Sequence, residues 1–190
     1  MIPVLETNRL TLTPLTLDDA PAAQALFPHW EIVRFLGKQV PWPYPEDGAL
    51  RYYRDVALPA TDRGEQWLWA IHLKDGPRHM IGSIALSITR DDNRGFWLGL
   101  PWHGRGLMSE ASEAVTDFWF DRLQRERLRV AKAVGNTASR RISEKQGARL
   151  VAREERTYVS GRTMAEIWEI TRDEWNARRL RCLSECLLHP

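Results

Sequence analysis

The chain has 190 residues, of which 43% are hydrophobic and 27% charged, and its formal net charge is +2. This length suits one α/β domain, which we assign to residues 1–175, followed by a helical C-terminal tail at residues 176–190. The balanced charge argues against a nucleic-acid-binding protein, which would carry a basic face or stripe. Because the sequence has neither a membrane-length apolar run nor a signal peptide, we expect a soluble, cytoplasmic protein with no membrane partner.

The two cysteines both lie in the predicted tail. Their spacing of four residues would place Cys182 and Cys186 on one face of a helix, where thiols act as small apolar groups. A zinc site needs more ligands than these two thiols and His189 provide. We therefore expect no metal ion.

In the N-terminal half, residue alternation predicts strands and a 3.6-residue spacing predicts helices. Thr16 or Asp18 is placed to cap the first helix. Three prolines within residues 39–45 exclude regular structure there. The predicted elements are a strand at 9–13, helices at 18–27, 30–35 and 46–58, and strands at 67–73 and 80–89.

The C-terminal half alternates helices and strands more regularly. A turn at residues 91–93 precedes it, and Ser160-Gly161 predicts a hairpin turn near its end. The predicted elements are strands at 95–98 and 128–134, helices at 107–120 and 137–146, and hairpin strands at 149–158 and 163–170. This order predicts an α/β (α+β) fold, with one domain and a mixed, largely antiparallel sheet flanked by helices.

Residues 96–111 run from an apolar strand through a short proline-containing loop into a helix. Gly104 and Gly106 would let the backbone approach a bulky anion, and the first N–H groups of the helix would point at it. Two glycines are equally compatible with a simple tight turn. Nucleotide-binding loops fit less well, because neither a Lys-Ser/Thr pair nor a third glycine follows Gly106.

Residues 136–148 again open a helix directly after a predicted strand. Asn136 is a suitable N-cap residue, and Gly147 is a common type of helix stop. The structural roles of N-cap and helix stop are each sufficient to explain these two residues without a role in binding or catalysis.

Together, the two glycine-containing segments resemble the GNAT acetyltransferase superfamily, and more narrowly its RimJ/RimL-like group of ribosomal-protein N-terminal acetyltransferases. The first segment reads Trp-His-Gly-Arg-Gly-Leu-Met-Ser-Glu-Ala at residues 102–111, and the second reads Asn-x-x-Ser-Arg-Arg followed by Lys-x-Gly at residues 136–147. Residues 7–12 and 81–84 are also similar to that group. The resemblance covers residues 6–175.

This resemblance implies direct transfer of an acetyl group from acetyl-CoA, the cosubstrate, to a primary amine in a ternary complex. It implies that the following residues bind the cofactor: Phe96, Leu98, His103, Gly104, Arg105, Gly106, Leu107, Met108, Ser109 and Asn136. Ser139 and Asn136 are implied as catalytic residues. Ser139 would protonate the leaving thiolate, Asn136 would hold the cofactor arm, and the Leu98 N–H would polarise the thioester carbonyl.

The sequence departs from the superfamily pattern at two positions of the glycine loop. His103 stands where Arg or Gln is usual, and Met108 replaces a small residue. Backbone N–H groups hold most of a bound pyrophosphate, so these replacements are compatible with cofactor binding.

The general base is left open by the sequence. Many relatives carry a glutamate where this chain has Asn93 or Ala131. Asp91, Asp92 and His72 could substitute chemically, although the two aspartates are equally suited to a turn. Ordered water is the remaining route for the amine proton.

The acceptor amine is a protein N-terminus or a small molecule, and we expect it where residues 42–45 meet the final hairpin. The competing hypothesis is a catalytically silent acyl-CoA-binding sensor or scaffold, which the missing glutamate favours. Gly104, Gly106, Asn136 and Ser139, which match the superfamily pattern, favour an enzyme. The oligomeric state is open, with a homodimer as one option.

Overall fold

The computed structural model describes the backbone of residues 2–188 and the side chains as far as residue 181. The predictions for the thiols of Cys182 and Cys186 and for His189 lie outside the described side chains. Within the described residues, no helix is long and apolar enough to cross a membrane.

The strands form two antiparallel sheets, in the orders β1-β2-β3-β4-β5 and β6-β8-β7. Every neighbouring pair within these sheets is antiparallel. The strands are β1 (Leu5–Glu6), β2 (Leu10–Pro14), β3 (Gln66–Leu73), β4 (Gly82–Ser87), β5 (Arg94–Leu98), β6 (Arg127–Ala133), β7 (Arg149–Tyr158) and β8 (Gly161–Thr171).

Seven α-helices connect or flank these strands in the described part of the chain. They are α1 (Ala20–Leu26), α2 (Trp30–Val33), α3 (Gly48–Tyr52), α4 (Leu58–Asp62), α5 (Leu107–Asp117), α6 (Thr137–Lys145) and α7 (Arg172–Leu188). A π-helical turn continues α3, and a second one, Phe118–Arg122, continues α5.

Local sequence explains where several helices begin and end. Thr16 and Asp19 form a capping box before α1. Gly147 follows α6 with a φ of 80°, a left-handed conformation that glycine adopts without the steric cost of a Cβ. The main core lies between the first sheet and α5, where Trp69 of β3 and Val115 of α5 are fully buried. These contacts fix the start of α5 beside the end of β5.

The structure confirms the predicted mixed α+β fold with antiparallel sheets flanked by helices. Three details differ from the expectations: β1 was not predicted, the sheet divides into two, and the third helical region extends to Asp62. The division into a domain at residues 1–175 and a tail at 176–190 stays a prediction. β1 is only two residues long, too short for an alternation pattern. The extension to Asp62 includes Pro59, which is tolerated because it lies in the first turn of α4.

The two sheets meet at one point and then separate. The Asn93 N–H donates to the Arg129 carbonyl at 2.6 Å, and the Arg129 N–H donates to Asn93 Oδ1 at 2.9 Å. Beyond this contact β5 and β6 belong to different sheets. A cleft therefore opens between the end of β5 and the segment that follows β6.

Candidate functional site

A cavity of about 490 Å³ occupies the cleft between the two sheets. Its walls are the end of β5, the N-terminal turns of α5 and α6, and the segment at residues 31–36. The predicted cofactor and catalytic residues that line it are Phe96, Leu98, His103, Gly104, Gly106, Leu107, Met108, Ser109, Asn136 and Ser139. Two segments at least 27 residues apart in sequence, ending at Ser109 and beginning at Asn136, thus meet at one cavity.

The edge of β5 presents backbone groups to this cavity. The Gly99 N–H donates to the Ile81 carbonyl at 2.8 Å, so Gly99 faces the strand-β4 side. In an antiparallel ladder, alternate residues face opposite edges, which turns the backbone groups of Phe96 and Leu98 toward the cleft. An extended ligand could pair there as an added strand.

His103 is one of the residues predicted to bind the cofactor, and in the structure its ring has a partner within the protein. Its Nε2 lies 2.7 Å from the Leu98 carbonyl oxygen. This bond links the glycine loop to the end of β5 and uses one of the two Leu98 backbone groups that face the cleft. The Leu98 N–H is the group that remains for a ligand carbonyl. Sequence alone gives no sign of this contact.

The glycine loop brings uncapped helix N–H groups to the cavity wall. Gly104 and Gly106 have φ values of 74° and 75°, and Gly106 is the N-cap residue of α5. No side chain caps this helix. Its first N–H groups carry the positive end of the helix dipole, which suits a phosphate or pyrophosphate.

Arg105 is an exposed residue that does not line the cavity. Its carbonyl oxygen accepts a hydrogen bond from Arg9 Nη1 at 3.0 Å. Arg9 is itself held by Glu110 of α5, with Nε 2.7 Å from Oε2 and its backbone N–H 2.7 Å from Oε1. Thr7 Oγ1 donates to the same carboxylate at 2.6 Å. We call Thr7, Arg9 and Glu110 the strap, since they tie the β1–β2 turn to the glycine loop.

The second helix N-terminus brings a hydroxyl to the opposite wall. Asn136 Oδ1 accepts a hydrogen bond from the Ser139 N–H at 3.2 Å, so Asn136 is the side-chain cap of α6. Ser139 is buried, with 8% of its surface exposed. Its Oγ accepts a hydrogen bond from Lys132 Nζ at 2.7 Å. Sequence analysis did not single out Lys132.

The sequence matches the acetyltransferase (GNAT) domain family over residues 9–149. The chain belongs to the GNAT acetyltransferase family. The Bacillus subtilis N-acetyltransferase YoaA is 30% identical over 151 residues, which cover 77% of this chain and 83% of YoaA. The family resemblance identified from the two glycine-containing segments is therefore confirmed, and the protein is an acyl-CoA-dependent N-acetyltransferase.

Solved structures show the same fold at low sequence identity. RimL, a ribosomal L7/L12 alpha-N-protein acetyltransferase solved with coenzyme A, aligns with a TM-score of 0.75 at 17% identity, covering 89% of this chain and 98% of RimL. Ribosomal-protein-S5-alanine acetyltransferase from Vibrio fischeri aligns with a TM-score of 0.76 at 15% identity, covering 91% and 98%. The RimJ/RimL-like fold is thus present in this chain.

The cavity of this GNAT acetyltransferase fits coenzyme A by its chemistry. Uncapped N–H groups at α5 suit the pyrophosphate, and the β5 edge suits the amides of an extended arm. Arg141 and Lys145 of α6 add positive charge to the same cavity. Among the described residues, no group of three or more His, Cys, Asp or Glu side chains could hold a metal ion.

The three candidate bases of this acetyltransferase lie outside the cavity lining. Asp91 accepts a hydrogen bond from Arg129 Nη1 at 2.6 Å, which lowers the pKa of its carboxyl. Desolvation raises the pKa of Asp92, although 42% of its side chain is exposed, and its Oδ1 accepts the Ala131 N–H. His72, on β3, lies 3.1 Å from Thr13 Oγ1. The geometry therefore assigns none of them as the base.

Proposed function

We propose that this GNAT enzyme transfers the acetyl group of acetyl-CoA directly to a primary amine within a ternary complex. The observation that carries the proposal is the single cavity shared by the β5 edge, the glycine loop and Ser139. These three features supply a backbone donor for a carbonyl, a cradle for a pyrophosphate and a hydroxyl for a leaving group. Binding both substrates beside one another makes the transfer effectively unimolecular.

The first task of the chain is to hold the cofactor phosphates. The N–H groups from Gly106 to Ser109 would bind the pyrophosphate, and the positive end of the α5 dipole would stabilise its charge. Arg141 and Lys145 reach the cavity from α6 and would neutralise further phosphate charge. Arg105 stays a predicted contact at the rim of the loop.

The second task is to stabilise charge as it develops during transfer. The Leu98 N–H would donate to the thioester carbonyl oxygen, which gains negative charge as the amine attacks. Ser139 would donate its hydroxyl proton to the departing sulfur. Asn136 would keep Ser139 in place by capping α6, since it accepts the Ser139 N–H.

The acceptor would enter from the side of the N-terminal helices. Glu31 contributes a carboxylate to the cavity wall, which would attract a cationic amine before it loses its proton. Trp30 and Trp42 are 40% and 43% exposed, with ring centroids 5.6 Å apart, and they present an aromatic surface near Glu31. Tyr44 and Val159 pack on one small apolar cluster, which joins the proline-rich loop to the hairpin tip. This surface suits a peptide or an amine with an apolar group.

The test is an acetyl-transfer assay. Thiol release from acetyl-CoA is measured with a panel of peptides bearing free N-termini and a panel of small amines, and the products are identified by mass spectrometry. We expect thiol release that depends on the acceptor and a matching gain of one acetyl group on its amine. Glu31→Gln should raise the KM for cationic acceptors more than it changes the affinity for CoA.

Two outcomes would contradict this function. Binding of acetyl-CoA without transfer to any amine would favour the silent sensor or scaffold. Thiol release at the same rate with and without acceptor would indicate thioester hydrolysis instead of transfer.

A further inference from the structure

Behind Ser139 lies a buried lysine that the chemistry described so far does not use. Lys132 is on β6, and only 4% of its surface is exposed. Its Nζ is 2.7 Å from Ser139 Oγ and 5.2 Å from the centre of the Phe96 ring. Ser139 and Phe96 both line the cavity, so the ammonium sits directly behind the cavity wall.

The surroundings of Lys132 do not compensate its charge with an ion pair. On β5, the charged residue that acts on Lys132 is a second buried cation, Arg94. Arg94 is 3% exposed and donates hydrogen bonds to Thr116 and Gln146. Burial lowers the pKa of Arg94 to about 10. A cation beside a cation makes both charged forms less stable.

Two carboxylates face Lys132 without forming an ion pair with it. Glu166 of β8 is its cross-strand partner, but its Oε1 accepts a hydrogen bond from Arg153 at 3.0 Å. Asp92 lies in the turn before β5, and its charge raises the pKa of Lys132, against the lowering caused by Arg94. Its Oδ1 accepts a hydrogen bond from the Ala131 N–H. Burial, followed by the charge of Arg94, lowers the pKa of Lys132 to about 7. Its ammonium can therefore lose and regain a proton near neutral pH.

We propose that Lys132 is the proton source behind Ser139 and that the pair forms a relay from the protein interior to the cofactor cavity. The proposal rests on the proposed function. As the amine nitrogen bonds to the acetyl carbon and the carbon–sulfur bond breaks, Ser139 Oγ gives its proton to the sulfur and takes one from Lys132 Nζ. The amine releases one proton on becoming an amide, and neutral Lys132 regains one from solvent before the next turnover. Lys132 is thus a positioning residue that acts through Ser139.

A merely structural role explains Lys132 poorly. Burying an ammonium without a paired carboxylate costs free energy, and a methionine of similar length would fill the same space without that cost. Strongly perturbed lysines are frequent at catalytic sites, where a neighbouring cation tunes them toward neutral pH. The hydrogen bond to Ser139 directs this lysine at a hydroxyl that lines the cavity.

The kinetic test compares Lys132→Met, Ser139→Ala and the double variant. Each single substitution should lower kcat about 10-fold or more while the affinity for CoA changes less than about threefold. The double variant should be no slower than Ser139→Ala, because both groups serve one proton path. Ser143→Ala is the matched control, since Ser143 is buried on the same helix and its hydroxyl has no hydrogen-bond partner. It should leave kcat unchanged.

The pH dependence of kcat gives a readout that packing alone would not change. In the wild-type enzyme kcat should fall as the pH rises through about 7, because Lys132 must hold its proton to supply it. This descending limb should be absent in Lys132→Met. Additive losses in the double variant, or the same limb in Lys132→Met, would overturn the relay.

A second readout needs no turnover. In protein labelled with ¹³C at lysine, the Lys132 signal is assigned by its absence in Lys132→Met and followed by NMR from pH 5 to 11, without and with CoA. We expect a midpoint near 7 in the protein alone, and titration near the ordinary lysine value of about 10.4 would overturn the relay. An active wild type with unaffected variants would overturn the relay alone. A wild type that binds acetyl-CoA but transfers nothing would overturn the proposed function and the relay together.

Discussion

At the scale of single residues, the proposed cofactor cradle contains two glycines with left-handed backbone conformations. Gly104 and Gly106 have φ values of 74° and 75°, which an L-residue adopts only at a cost of about 1–3 kcal/mol. A Cβ at Gly106 would meet only Arg9 Nη2, at 3.6 Å, which is an ordinary contact. The requirement for glycine at this position therefore comes from backbone conformation rather than from lack of space.

We predict that Gly106→Ala weakens CoA binding at least about tenfold, because relief of the strained φ turns the loop N–H groups away from the cavity. Gly64→Ala is the matched control. Gly64 has a φ of 70° with open space around it and lies in the turn after α4, far from the cavity lining in sequence. Both variants should lose similar stability in urea unfolding, and only Gly106→Ala should lose affinity in calorimetric titration. Equal affinities would place the phosphate cradle elsewhere.

A second prediction concerns the stability of the buried Lys132. Between about pH 7 and pH 10.4 the unfolded chain holds a proton that the folded protein has released, so folded stability rises with pH across this window. Lys132→Met removes this dependence. It should therefore stabilise the fold by about 2.6 kcal/mol more at pH 6 than at pH 9.

The measurement is urea unfolding of both proteins at the two pH values. Lys74→Met removes a partly exposed lysine and should change stability equally at both. The same increment for Lys132→Met at pH 6 and pH 9 would show that Lys132 is charged throughout this range.

Residues of the site differ in how far sequence could predict them. Gly104, Gly106, Asn136 and Ser139 lie in two continuous motifs, so their meeting at one cavity could be expected from a resemblance. Lys132 contacts Ser139 only because the chain turns from β6 into α6, and no sequence motif includes Lys132. A lysine in a strand is usually predicted to face solvent, because lysine side chains are rarely buried.

At the scale of elements, the strap connects the β1–β2 turn to α5, the helix proposed to bind the cofactor phosphates. Arg9 and Glu110 form an ion pair at 2.7 Å in which Arg9 is 46% exposed, so the pair adds little to global stability. The bond from Arg9 Nη1 to the Arg105 carbonyl acts locally, because Arg105 lies between the two left-handed glycines. The strap is therefore suited to fixing the loop conformation more than the fold.

We predict that Arg9→Ala lowers the affinity for CoA about three- to tenfold while lowering unfolding free energy by no more than about 1 kcal/mol. Arg51→Ala is the control, because Arg51 of α3 forms an exposed ion pair with Asp47, the residue before that helix. It should match Arg9→Ala in stability and retain wild-type affinity. Calorimetric titration and urea unfolding measure the two quantities, and a parallel loss of affinity in both variants would exclude a specific role for the strap.

Element types were predictable where the periodicity was long, as in α5 and in the hairpin of β7 and β8. Their boundaries follow from tertiary contacts that no local pattern carries. The π-helical turn after α5 buries Phe118, Trp119 and Phe120 together, although a regular helix would expose one of three successive residues. Packing against the sheet thus overrides the local period.

At the scale of the whole molecule, the cavity connects two separate sheets. β5 ends the first sheet, and α6 follows β6 of the second, while the two strands make backbone contact only near Asn93 and Arg129 in the described residues. A ligand held by both the α5 and the α6 N-termini would therefore cross-link the halves of the fold. The division into two sheets was not predictable, because the residue alternation within a strand does not show which sheet the strand belongs to.

The last prediction follows from this bridging. We expect CoA to bind the native cavity and not the unfolded chain, so it should stabilise the fold by about 2.7 kcal/mol at a concentration of 100 Kd. For a chain of this size the thermal midpoint should then rise by about 5 to 10 °C. ATP and NAD offer phosphates to α5 but no pantetheine arm for the β5 edge, and they should give much smaller shifts. Gly106→Ala should lose most of the CoA shift at the same concentration, whereas Gly64→Ala should retain it. Equal shifts with all three nucleotides would mean that phosphate charge alone is recognised, and the pairing of an extended arm with Phe96 and Leu98 would then be excluded.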